Sequence, residues 1–120
     1  MFTVYTYSSC STCRDATKWL RARGVSFVEK PIRETPPSVS ELKAMLKHLG
    51  GSSELRRLFN SSGQDYRAMG LKDKLPAMSE AEALALLTKH GNLVKRPFLI
   101  GPSAGVVGFN ASAWENQLGV

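Results

Sequence analysis

Phe2-Thr3-Val4-Tyr5-Thr6-Tyr7-Ser8-Ser9-Cys10-Ser11-Thr12-Cys13-Arg14 is the stretch that decides the fold. Residues 2–7 are all β-branched or aromatic, the composition of a strand. Residues 11–23 read as a helix that stops at Gly24. Cys10 therefore falls at a strand-to-helix corner, beside the unpaired N–H groups and the positive dipole end of a helix N-terminus. A thiolate is favoured there, and the thiolate is the nucleophilic form of cysteine.

Cys10 and Cys13 are the only cysteines in the 120 residues. Residues three apart on a first helical turn are neighbours, so the two sulfurs can close a disulfide with little backbone movement. Cys13 shares a helix side with Ala16 and Leu20 and is expected to be the more buried thiol. Cys10 is then the nucleophile and Cys13 the resolving thiol. Arg14 is close enough in sequence to help hold the Cys10 thiolate, and Ser11 and Thr12 flank it. The alternative use of a C-x-x-C pair, a zinc site, requires four ligands. Only His48 and His90 remain as soft donors, each just before a helix-ending glycine region, so no metal is expected.

Outward from this corner, residues 26–30 read as a second strand, followed by turn signals at Pro31 and Pro36-Pro37. Ser38-Val39-Ser40-Glu41 is a capping box opening a helix with Val39, Leu42, Met45, Leu46 and Leu49 on one face. Gly50-Gly51 ends it. A short helix near Glu54–Phe59, a turn centred on Gly63 and a helical turn near Asp65–Met69 follow. A second capping box, Ser79 to Glu82, opens helix 80–90, with Leu84, Leu86 and Leu87 apolar and Gly91 closing it.

Pro97 leads into a short buried-type strand, Phe98-Leu99-Ile100. Val106–Phe109 is its hairpin partner, and a helix containing Trp114 ends the chain. The order is β-α-β, a helical insert at about 38–92, then β-β-α. A right-handed crossover makes the first two strands parallel. The expected fold is α/β and thioredoxin-like, a single domain over residues 1–120 with a mixed four-stranded sheet.

The composition, 42% hydrophobic and 22% charged, is that of a globular domain rather than a disordered chain. No apolar run approaches the ~20 residues of a membrane span, and Met1 leads straight into a strand with no secretory leader. A cytoplasmic protein is expected. The net charge of +6 is dispersed, without a run of like charges or a nucleic-acid motif, so direct nucleic-acid binding is not expected. Lys95-Arg96 before Pro97 is either an anion clamp at the sheet end that carries Cys10 or a basic loop ahead of an edge-type strand.

Taken together, strand–Cys10-Ser11-Thr12-Cys13–helix, the pair Arg96-Pro97, and the stretch Leu58-Phe59-Asn60-Ser61-Ser62-Gly63-Gln64-Asp65-Tyr66-Arg67-Ala68-Met69-Gly70-Leu71 resemble the glutaredoxin-dependent arsenate reductase family. That family includes the Spx-type transcriptional regulators and related small thiol reductases. The resemblance covers nearly the whole chain. It implies a thioredoxin-like fold with a helical insert and a cis Pro97 beside the active cysteine. In arsenate reductases of this type the cysteine matching Cys10 attacks arsenate, and three arginines hold the oxyanion. Arg96 matches one of them, Asn60 stands at the insert position, and no basic residue stands at Gly108-Phe109. In Spx-type regulators the C-x-x-C pair is a redox switch and the protein binds the α subunit of RNA polymerase. Ser52 stands where those regulators carry a glycine.

Three functions follow in order. The first is a thiol–disulfide oxidoreductase with Cys10, Cys13 and Arg96 as its catalytic set. Ser11, Thr12, Arg14, Asn60, Lys95 and Pro97 would bind substrate. No cofactor is bound; glutathione or another small thiol is the co-substrate, with glutaredoxin or thioredoxin as redox partner. The second is a redox-switched regulator that binds RNA polymerase. The third is an arsenate reductase using glutathione and glutaredoxin.

Overall fold

Strand β1 (Phe2–Thr6) occupies the middle of the sheet because its alternate residues serve two different cores. The computed structural model describes residues 1–120. Val4 packs with Ala16 and Leu20 of helix α1 (Ser11–Ala22), and with Leu99, Val106 and Trp114. Tyr5 faces the other way, into a cluster of 17 buried residues supplied mainly by the insert. The sheet order is β2-β1-β3-β4, formed with β2 (Phe27–Pro31), β3 (Phe98–Ile100) and β4 (Gly105–Val107). β2 is parallel to β1, while β3 and β4 are antiparallel to their neighbours. This is the mixed four-stranded, thioredoxin-like sheet expected from the order of elements.

Helix α2 (Val39–Leu49) starts at a complete capping box: Ser38 accepts from the Glu41 N–H, and Glu41 accepts from the Ser38 N–H. The same Glu41 oxygen accepts the Tyr5 hydroxyl at 2.7 Å, which ties the insert to the central strand. Burial and this acceptor together hold the Tyr5 hydroxyl protonated far above its ordinary range. The insert continues through a 3₁₀ segment (Ser52–Leu58), helix α3 (Gln64–Ala68), helix α4 (Leu71–Lys74), a further 3₁₀ turn (Leu75–Ala77) and helix α5 (Glu80–Lys89). α5 carries the second complete capping box, on Ser79 and Glu82. Helix α6 (Ala111–Leu118) brings Trp114 under the sheet, where its Nε1 donates to the Gly108 carbonyl at 2.9 Å.

Several local expectations change. Pro31 is the last residue of β2 rather than a turn: β2 is an edge strand, where a missing N–H is tolerated. Val39 is exposed on the first turn of α2, whereas Leu42, Met45 and Leu46 are buried. The 3₁₀ segment replaces the short helix near 54–59, and α4 continues the insert where no element was assigned. Phe109 lies beyond β4 and joins the aromatic group of Trp19 and Trp114. Gly91 does not cap α5 in a left-handed conformation. It is buried against the chain after β2, and a Cβ there would fall on the Ile32 carbonyl oxygen.

Candidate active site

β1 ends below Tyr7, whose carbonyl accepts the Cys10 N–H at 3.0 Å. Cys10 takes extended angles and is the N-cap of α1. An N-cap side chain ordinarily accepts a helix-end N–H through oxygen. Here the Cys10 Sγ accepts from the Cys13 N–H at 3.1 Å. A backbone donor and the N-terminal end of α1 thus both face this sulfur.

The two thiols occupy different surroundings. Cys10 is half-buried and Cys13 is 1% exposed; both are free. Burial, reinforced by the hydrogen bond with Cys10, pushes the Cys13 thiol up to about 12; the Tyr7 backbone and the Arg96 charge oppose the rise. Cys13 is therefore a protonated thiol at neutral pH. Because the folded thiol keeps its proton while the unfolded one loses it, folding stability falls as pH rises from about 9 to about 12. Chemical denaturation across that range should show a steeper decline for wild type than for Cys13→Ala. Equal slopes would contradict this placement of Cys13.

Arg96 precedes a cis peptide bond to the buried Pro97. Its guanidinium lies 5.0 Å from the centre of the Tyr7 ring, and Nη1 is buried without a protein acceptor. A second guanidinium flanks the same ring. Arg33, just past β2, also lies 5.0 Å from the ring centre and donates from Nη1 to the Tyr7 hydroxyl at 2.9 Å. Tyr7, Arg33 and Arg96 line a polar cavity of about 250 Å³, together with Asn60, Asp65 and Asn92.

Asn60 reaches this cavity because the insert pairs with the approach to β3. Phe59 and Val94 form an antiparallel bridge, the Asn60 N–H donates to Leu93, and the Lys95 N–H donates to Leu58, each at 2.7 Å. Gly63 also borders the cavity, and a Cβ at that position would press on the Asn60 amide at 2.8 Å.

Of the residues expected at the site, Cys10 and Cys13 are joined on the first turn of α1, the Arg96 charge is felt at Cys13, and Arg96 and Asn60 line one cavity with Tyr7, which Cys10 does not line. Ser11 and Thr12 are exposed on the first turn beside Cys10. Arg14 turns back to donate to the Ser8 carbonyl at 2.9 Å, bracing the loop. Lys95 stands apart: its side chain borders a separate groove of about 400 Å³ with His48, Arg57 and Phe109. Arg33, Tyr7, Asp65 and Asn92 were not singled out from the sequence. A signal for Arg33 was present, because parallel strands end on the same side of a sheet, so residues just after β2 arrive beside Tyr7.

Residues 5–117 match the model of the ArsC family. The uncharacterized protein YusI of Bacillus subtilis is 44% identical, over 96% of this chain and 96% of that protein. The global transcriptional regulator Spx of the same organism is 30% identical over 92% of this chain and 81% of that protein. Among solved structures, a possible arsenate reductase from Streptococcus mutans is 41% identical, with a TM-score of 0.84 over 92% of each chain. A Bacteroides fragilis protein described as related to the ArsC family is 37% identical, with a TM-score of 0.88 over 96% of this chain and 95% of that one.

Proposed function

The chain belongs to the ArsC family, and from that premise we propose that it is a thiol–disulfide oxidoreductase of the cytoplasm. The division of labour between the two thiols carries this reading. Cys10 is accessible and faces a backbone donor, while Cys13, one helical turn away, is buried and held protonated.

The Cys10 thiolate attacks one sulfur of a substrate disulfide. A Cys10–substrate disulfide forms, the substrate S–S bond breaks, and the other half leaves as a thiolate. Cys13 then gives up its proton and attacks the Cys10 sulfur, expelling the second half as a thiolate. The substrate disulfide gains two electrons, and the protein loses two as a Cys10–Cys13 disulfide. A small thiol such as glutathione, or a dithiol protein of the glutaredoxin or thioredoxin type, returns them. Arg96 orients an anionic group of the substrate, and Asn60 contributes an amide beside it.

Arg96→Ala should raise KM about ten-fold for an anionic disulfide, as expected for loss of a charged hydrogen bond. KM for an uncharged alkyl disulfide should stay unchanged. Steady-state kinetics with the two substrates checks this; an unchanged KM for the anionic one removes Arg96 from the role.

A second reading, a redox-switched binding protein, is favoured by the resemblance to Spx. In it, formation of the Cys10–Cys13 disulfide changes affinity for a protein partner such as the RNA polymerase α subunit. Ser52, whose hydroxyl donates to the Glu80 carboxylate, would face that partner. Partner capture that depends on the redox state, without turnover, would favour it. Arsenate reduction is the third reading; it predicts arsenate-dependent oxidation of thiols.

A further inference from the structure

Asp65 lines the same cavity as Arg33 and Arg96 yet pairs with neither; the chain's ion pairs are Arg21–Glu29, Arg23–Glu115 and Arg57–Glu54. Its partner is the Asn92 amide, which donates to Oδ2 at 3.1 Å and fixes the carboxylate at the rim. Arg96 Nη1, in the same cavity, is buried with no acceptor. One cavity of about 250 Å³ thus offers two guanidiniums and one carboxylate that do not neutralise each other. A purely anionic ligand would leave Asp65 facing like charge. A ligand carrying both charges a few bonds apart satisfies every group.

We propose that this cavity holds the α-amino-carboxylate head of a small peptide-like thiol, with Arg33 and Arg96 on the carboxylate and Asp65 on the ammonium. Two guanidiniums suit a carboxylate through directed N–H donors, and the carboxylate of Asp65 accepts from an ammonium. Cys10 does not line the cavity; it is joined to it through Tyr7, whose ring centre lies 5.0 Å from both guanidiniums and whose carbonyl accepts the Cys10 N–H. That offset fits a thiol whose sulfur is separated by several bonds from its charged head. The proposal rests on the oxidoreductase reading for the identity of the ligand as a thiol, and not for the charge pattern.

The test is a binding titration followed by NMR, using S-methylglutathione, its N-acetyl derivative and free glutamate. None of these can form a disulfide. S-methylglutathione should bind at least about ten-fold more tightly than the N-acetyl derivative, with shifts at the side-chain amides of Asn60 and Asn92. Asp65→Asn should weaken S-methylglutathione toward the level of the N-acetyl derivative and should not weaken the latter. Arg33→Met should weaken both. Equal binding of the two peptides, or equal weakening of both by Asp65→Asn, would overturn the proposal. Glutamate binding as tightly as S-methylglutathione would also overturn it, by assigning the cavity to free amino acids. Reduction of bis(2-hydroxyethyl) disulfide, which has no charged head, is followed in parallel. Its absence counts against the oxidoreductase reading alone, because the titration does not depend on turnover.

Discussion

Cys10→Ser is expected to lower disulfide turnover by a factor on the order of 10⁴, the scale of losing a covalent nucleophile. A serine hydroxyl is not ionised at neutral pH and does not attack sulfur. The loss should be purely chemical. Cys10 is the N-cap of α1, and serine is among the best N-caps, so its oxygen can accept the Cys13 N–H in place of sulfur. The melting temperature should therefore stay close to wild type. Cys13→Ser should behave differently. Its first attack survives, one equivalent of leaving thiol is released, and the protein is trapped as a Cys10 mixed disulfide. Alkylation by iodoacetamide near pH 8 should be fast in Cys13→Ser and slow in Cys10→Ser, since the remaining thiol there is buried and protonated. Equal rates in the two variants would overturn the assigned roles.

Gly91→Ala is expected to destabilise the fold by about 3 kcal/mol or more, the upper end of overpacking effects. Gly91 opens the 3₁₀ turn between α5 and the approach to β3, and it lies directly on the chain leaving β2. The added Cβ would meet the Ile32 carbonyl oxygen and, at 2.8 Å, the Arg33 Cα. Both are backbone atoms, so no side chain can rotate to relieve the clash. The disturbed segment carries Arg33 on one side and Asn92 on the other, so the cavity should suffer with the fold. Urea denaturation should show a lower midpoint at an unchanged slope. Gly24→Ala provides the contrast. Gly24 is left-handed (φ +69°) with open space around its Cβ position, so its cost should be nearer the ~1 kcal/mol of a left-handed alanine. A Gly91→Ala midpoint no lower than that of Gly24→Ala would contradict this account.

The readable parts of the sequence were those whose signals are local. Both capping boxes form as Ser38–Glu41 and Ser79–Glu82 predict, because each is a four-residue device complete in itself. The strand–Cys10–helix corner is likewise set by neighbouring residues. The cis bond at Pro97, implied by family resemblance, is present. What escaped depends on segments that meet only in three dimensions. Gly91 looks like a helix stop until the chain after β2 is laid against it. Arg33 looks like one more surface charge until the parallel pairing of β1 and β2 delivers it to Tyr7. Lys95 and Arg96 are equivalent as sequence, yet the bridge between Phe59 and Val94 fixes this segment so that Arg96 enters the cavity and Lys95 borders another groove. Val39 keeps helical spacing with the buried face of α2, but it lies on the first turn, at the edge of the core.

The insert and the strand ends therefore build the cavity together: Tyr7, Arg33 and Arg96 come from segments next to β1, β2 and β3, and Asn60, Asp65 and Asn92 come from the insert. The measurement that tests the central claim most directly is turnover of a glutathionylated peptide disulfide by the purified protein, with glutathione, glutaredoxin and NADPH-coupled regeneration, and with arsenate as the competing substrate. The account predicts reduction of the disulfide above the protein-free rate, abolished by Cys10→Ser. Reduction of arsenate alone, or of neither substrate, would contradict it.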